Sequence, residues 1–238
     1  MSHRIPVLLR SGLAALLVFC FFVYLAGALA AKATDQRMML DKMQQFADTS
    51  ASEIDPEEYP RFAAAITGYL KGTADSPQLM LTSGTMEREA FAPHEMIHMA
   101  DIRGLVSMAR ALRVAAIALI LLAVITFFVL KSRQPEWLPR IKPAASIRIG
   151  SAVFLLLIVL IAVWGAIDFE GLFHVFHRLL FANELWLLDP QRDVLLQLMP
   201  MQMFVSYGMD LLKENLFLLL ILLLALFGLR EKTAEDGE

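Results

Sequence analysis

Four long apolar runs divide this chain of 238 residues and decide what it can fold into: Ser11–Ala31, Val114–Leu130, Ile147–Ile167 and Leu211–Leu229. An α-helix rises about 1.5 Å per residue, so about 20 apolar residues cross a hydrocarbon core of about 30 Å. The first and third runs reach that length. Val114–Leu130 is short, and Leu211–Leu229 qualifies only by including Lys213, Glu214 and Asn215, so flanking helical turns are expected to extend both. Hydrophobic residues make up 58% of the chain, with a mean hydropathy of +0.59. A soluble domain carries about 45–50% apolar residues, and the excess here lies in the four runs. The expected fold is all-α: one polytopic membrane domain with four transmembrane helices and a helical extracytoplasmic segment between spans one and two.

Ala28–Ala33 resembles a signal-peptidase site, but the apolar run before it exceeds the about 7–15 residues of a signal core. It is therefore read as a retained anchor. Cys20, the single cysteine, lies within that run, which excludes an internal disulfide and a Cys-rich metal site. A net charge of -3 without a basic stripe argues against a nucleic-acid partner.

Loop charges set the orientation. The connection between spans two and three carries Lys131, Arg133, Arg140, Lys142 and Arg148 against the single acid Glu136. The positive-inside rule makes this short loop, about 131–146, cytoplasmic. Arg4 and Arg10 then fall on the same side, and with four spans both termini are cytoplasmic. Segments 32–113 and 168–210 become external. The second is acidic, with Asp168, Glu170, Glu184, Asp189 and Asp193 against Arg178 and Arg192.

The first external segment is small for an independent core. Thr34–Ala47 has a helical pattern of methionines, and Asp55-Pro56-Glu57-Glu58 reads as a cap and first turn before Phe62, Ile66, Tyr69 and Leu70. Gly72–Ser83 reads as loop. Pro93 suits a first helical position, and the helix is expected to run from there into the second span. Pro200-Met-Gln-Met-Phe204, after Leu195, Leu196, Leu198 and Met199, reads as a helix near the outer interface. Its methionines are packing or lipid-facing residues rather than soft-metal ligands.

Four of the five histidines fall in the two external segments. One cluster is Phe91-Ala-Pro-His-Glu-Met-Ile-His-Met-Ala-Asp-Ile-Arg103; the other runs from Asp168 through His174 and His177 to Asp193. His94-Glu95-Met-Ile-His98 spells the zinc-protease pattern, in which two histidines four apart bind zinc and the glutamate activates water. Pro93 sits awkwardly before a motif that belongs in mid-helix, and a third ligand would have to come from Asp101 or His177. The competing reading places Glu95, His98 and Asp101 on one helical face, where a carboxylate beside an imidazole fixes its tautomer and raises its basicity. Phe173, Phe176 and Leu180 form an apolar stripe next to a face bearing His174 and His177. Each histidine alone is most simply a polar anchor at a helix end. Four near membrane depth on one side point to function. Trp186 is read as an interfacial anchor.

At these residues the chain resembles the lipoprotein intramolecular transacylase (Lit) family of bacterial four-span membrane proteins. The resemblance rests on Glu95, His98, Met99, Asp101, Ile102 and Arg103, then Asp168-Phe169, Phe176-His177-Arg178-Leu179-Leu180-Phe181, and Trp186, Asp189, Pro190 and Asp193. It implies His98 and His177 as a catalytic pair, with His94 and His174 outside the pattern and no cofactor. It also implies a diacylated lipoprotein substrate at the outer leaflet of the bacterial cytoplasmic membrane, in contact with membrane lipid. The implied reaction moves the sn-2 acyl chain of the diacylglyceryl-cysteine to that cysteine's own α-amino group, giving a lyso-form. Arg103, Arg178 and Asn183 are candidates for positioning or oxyanion stabilisation, an Arg103–Asp101 pair being the plainer role for the first. The rival readings are a membrane zinc protease built on His94, Glu95 and His98, and a membrane assembly factor whose histidines only anchor helices.

Overall fold

The computed structural model describes residues 4–47, 54–83, 86–133 and 143–215, together with 218, 220, 221, 223 and 224. Eight α-helices account for most of them: α1 Arg4–Ala33, α2 Gln36–Phe46, α3 Tyr59–Lys71, α4 Pro93–Arg133, α5 Pro143–Ile167, α6 Phe169–Leu180, α7 Val194–Leu198 and α8 Met201–Glu214. A two-stranded antiparallel hairpin, β1 Met80–Ser83 and β2 Met86–Glu89, pairs Met80 with Glu89 through to Ser83 with Met86. Its first strand occupies the end of Gly72–Ser83, the stretch expected to be loop, and its second lies beyond it. Three parts of the expected layout lie outside the described residues: most of the 131–146 loop, the tail 230–238, and part of the fourth apolar run.

Among the described residues, two helices are long and apolar enough to cross a membrane, Pro93–Leu122 within α4 and Arg148–Ile167 within α5. A third candidate joins Val18–Ala33 to α2 across a 72° bend. That bend has a local cause. Thr34 turns its hydroxyl back to the Ala30 carbonyl (2.8 Å), and Asp35 then caps α2 by accepting the Met38 N–H (2.9 Å). The 41-residue α4 runs unbroken from Pro93, so the short second run is extended at its N-terminal end as its length required.

The chain divides into two units. One comprises 1–25, 112–164 and 212–238. Here Phe154 is fully buried against the rings of Phe21 and Phe22, at 4.9 and 5.3 Å, and Cys20, Val23 and Ala116 form a separate small cluster. Leucines, isoleucines and valines of α4 and α5 point outward, among them Leu122, Ile125, Leu156 and Val159. Such an outward apolar surface far exceeds what a water-soluble monomer exposes, and it fits lipid as the solvent.

The second unit joins Ala26–Ala111 to Gly165–Leu211 and holds a conventional core. Met39 and Met43 of α2 meet Phe62, Ile66 and Leu70 of α3, and Phe91 stands edge-on to Phe62 at 5.8 Å. Val194, Leu195 and Leu198 of α7 with Met203 and Tyr207 of α8 complete the same core. Met203 is fully buried, a packing methionine. Lys42 on α2 is buried and donates to Ser206 Oγ and Asp210 Oδ2 of α8, both at 2.6 Å. The hairpin is fastened by Gln78, whose amide accepts the Phe91 N–H (2.9 Å) and donates to the Phe91 carbonyl (2.8 Å), like one more rung of the ladder.

Candidate active site

The second histidine cluster is carried by α6, and Asp168 starts that helix. Its Oδ1 accepts the Gly171 N–H at 2.8 Å, an N-cap. Any side chain on Gly171 would collide with Asp168 Oδ2, so cap and glycine belong together. The helix is inverted relative to one in water. His177 is 7% exposed, while Phe176 is 45% and Leu179 79% exposed. Its imidazole sits in an aromatic box: Phe173 at 4.0 Å, Trp186 at 4.9 Å and Phe181 at 5.4 Å between ring centroids. Trp186, expected as an interfacial anchor, is instead buried against this ring.

The first cluster opens α4. Pro93 takes the first helical position, and Glu95, 1% exposed, folds back so that Oε2 accepts the Ala92 N–H at 2.7 Å, half of a capping box. Its other oxygen accepts the Leu195 N–H at 2.7 Å, near the start of α7. One buried carboxylate therefore satisfies donors at two helix N-termini. His98 follows a turn later, 5% exposed, with its ring 6.0 Å from His177 and 5.1 Å from Phe181. The two clusters, 79 positions apart in sequence, thus place two imidazoles side by side.

The remaining acids hold the loop between α6 and α7. Asp101 accepts from Asn183 Nδ2 (2.9 Å), and Asn183 Oδ1 accepts the Leu185 N–H (3.0 Å). Asp189 accepts the Gln191 N–H (2.9 Å) within a turn. Buried Asp193 accepts the Asp189 N–H through Oδ2 (2.7 Å) and meets His94 Nε2 through Oδ1 (2.9 Å). Arg103 lies over the Tyr69 ring at 4.7 Å, so the expected pairing with Asp101 gives way to a cation–π contact. Arg178 is exposed and makes no hydrogen bond or ion pair among the described residues. Neither it nor Asn183 is placed as an oxyanion donor by any contact; Asn183 is a loop fastener.

The expected carboxylate–imidazole pairing is corrected by these contacts. Glu95 and Asp101 spend their oxygens on backbone N–H groups and on Asn183, and His98 Nδ1 is buried without a protein partner. What orients His177 is a backbone carbonyl: Nδ1 lies 2.7 Å from the Phe173 oxygen. A carbonyl only accepts, so Nδ1 carries the hydrogen and the neutral ring keeps its lone pair on Nε2. Burial lowers the His177 pKa below the ordinary value of 6.5, assisted by His174 and opposed by the Phe173 hydrogen bond. Charge on both rings at once is disfavoured by their proximity. The pair is thus neutral near pH 7, with a base atom available. The zinc reading fares worse. Its glutamate is engaged at two helix ends, His94 is drawn to Asp193, and the described residues contain no group of three potential ligands. Phe173, read in the sequence only as a stripe position, and Phe181, read only as part of the family pattern, prove to wall the imidazoles, because nothing local shows which ring they meet.

Membrane-length apolar helices, with a buried imidazole pair in the folded unit beside them in sequence, define a class: a membrane-integral helical protein. Comparison with known proteins makes this specific. The sequence profile of the family described as lipoprotein intramolecular transacylase Lit matches residues 14–204, and the chain belongs to that family of enzymes. Among solved structures it resembles the membrane-integral lipoprotein intramolecular transacylase Lit from Bacillus cereus, with a TM-score of 0.64 and 20% identity over 93% of each chain. A histidine-to-alanine variant of that protein gives 0.60 and 19% identity, over 95% of this chain and 93% of the other. At such identities the likeness establishes a shared fold. No curated protein matches the sequence.

Proposed function

We propose that this chain moves the sn-2 acyl group of a diacylglyceryl-modified N-terminal cysteine onto that cysteine's own α-amino nitrogen, with His98 and His177 as the catalytic pair. The observation that carries the reading is the buried imidazole pair with His177 held by Phe173, which leaves Nε2 free to accept a proton. An α-amine ordinarily titrates at about 7.7–8.0, within reach of a histidine base. As the amine nitrogen bonds to the ester carbonyl carbon, its proton passes to His177 Nε2. The carbon–oxygen bond to the glyceryl unit then breaks, and His98 is the partner through which the proton reaches the departing oxygen. The proton lost by the amine is the one the glyceryl hydroxyl gains, so the pair ends as it began. Donor ester and acceptor amine belong to one molecule, so holding them together can lower the barrier by several kcal/mol, out of an upper range of about 7–11, without a covalent enzyme intermediate.

Four spans with both termini cytoplasmic complete the proposal and put the pair at the outer leaflet, a placement supported by the basic 131–148 connection and the acidic 168–193 segment. The test is expression in a bacterium whose lipoproteins are diacylated, followed by tandem mass spectrometry of a lipoprotein N-terminus. The expected product is an N-acyl, S-monoacylglyceryl cysteine. An unchanged acyl pattern with the protein well expressed in the membrane would rule the reading out.

A further inference from the structure

Beside the histidine pair lies a cavity of about 480 Å³ whose walls take no part in the proton transfers. Its lining includes His174, Arg178, Phe181, Glu184, Trp186 and Leu187. Two of these also wall the pair: Phe181 stands 5.1 Å from the His98 ring, and Trp186 stands 4.9 Å from the His177 ring. The cavity therefore adjoins the pair, with these two side chains as shared walls. Its volume is that of a small-ligand site, about 300–1,000 Å³.

The lining chemistry selects the occupant. Arg178 and Glu184 are exposed, and neither side chain has a hydrogen-bond or ion-pair partner among the described residues. An acyl chain offers no polar atom, so laying it over these groups and His174 would remove their water without compensation. A peptide offers carbonyls to the five N–H donors of a guanidinium and N–H groups to a carboxylate, while Leu187 and Trp186 supply an apolar wall for a side chain. We infer that this cavity binds the first peptide units on the carboxyl side of the lipidated cysteine. The inference rests on the acyl-transfer reading, which puts the cysteine's amino group at the imidazoles and requires the polypeptide to lead away from them.

The test uses the full chain in lipid nanodiscs and two fluorescent probes with the cysteine nitrogen acetylated, so that neither can react. One is diacylglyceryl-cysteine amide; the other carries four further residues. The extended probe is expected to bind about tenfold tighter, a difference of about 1.4 kcal/mol. Arg178→Ala and, separately, Glu184→Ala should reduce that ratio to within about threefold. Both residues are exposed, so two independent variants retain the fold. Equal binding of the probes to the unmodified protein, or a ratio that survives both substitutions, overturns the inference. Running the unblocked lipopeptide on the same preparations separates the two readings. The expected ratio without acyl transfer supports the cavity and sinks the reaction; transfer without the ratio sinks the cavity alone.

Discussion

At the scale of single residues, five acids around the site serve backbone and loop rather than the two buried imidazoles. Glu95, Asp101, Asp168, Asp189 and Asp193 each accept from a backbone N–H or from Asn183. Of these acceptors Glu95 holds a fully buried donor, the Leu195 N–H, and removing it leaves that donor unpaired, at about 1–3 kcal/mol. The sequence could show that the acids cluster with the histidines. It could not show the assignment, because Glu95 finds its second partner a hundred positions away at Leu195 and His177 finds its own in a backbone carbonyl that every residue possesses. The histidine pair itself was legible through the family pattern, not through spacing. The electrostatics give a pH prediction. The unfolded or fully solvated imidazole protonates near 6.5, and burial lowers the His177 pKa in the folded protein. Its base form, and the stability linked to it, are thus complete above 6.5. Stability declines as the unfolded chain takes up the proton below 6.5, and the base is lost as pH falls through the lowered value. Between about pH 8 and 6.5 the kcat/KM for acyl transfer should fall about one log unit per pH, from protonation of the substrate amine alone. The slope should steepen to two only below 6.5; a second break above 6.5 would contradict a buried neutral base.

At the scale of elements, helix starts were the most readable features, since they depend on local chemistry. Asp55 and Pro93 begin helical segments as read, Asp35 caps α2 just inside the stretch read as helical from Thr34, and Gly72 ends α3 with a positive φ of 83°. The hairpin was not readable. Its four-residue strands lack an alternating apolar pattern, and Gln78 fixes it by side-chain contact with a residue thirteen positions on. For α6 the two faces were visible but not which one is buried. In water the apolar stripe would turn inward; here the histidine face does, and Leu179 faces out. The Asp168–Gly171 cap sets this helix. Gly171→Ala forces the two apart and should lower thermal stability by about 1 kcal/mol, the value of an N-cap. Acyl transfer should fall more steeply than stability, because His177 rides on the same helix. A variant with unchanged melting and unchanged transfer would show that the cap is dispensable.

At the scale of the whole molecule, the two long segments between apolar runs are one folded unit. Segment 32–113 is small for a core of its own, and residues of α7 and α8 join the same core. That dependence is non-local and was not visible in either segment alone. The proposed orientation has a direct consequence. In a Cys20→Ser background, Asp75→Cys should react with a membrane-impermeant thiol reagent on intact cells, and Glu136→Cys should react only after permeabilisation. The reverse pattern would invert the topology and remove the pair from the outer leaflet. The central claim, that His98 and His177 together perform the transfer, is tested most directly by tandem mass spectrometry of a synthetic diacylated lipopeptide incubated with the purified chain and its single variants. The unmodified chain should yield the N-acyl product, and His98→Ala and His177→Ala should each lower its formation by about 10²–10⁴-fold, the usual contribution of a positioned acid or base. Undiminished transfer by either folded variant would contradict the account.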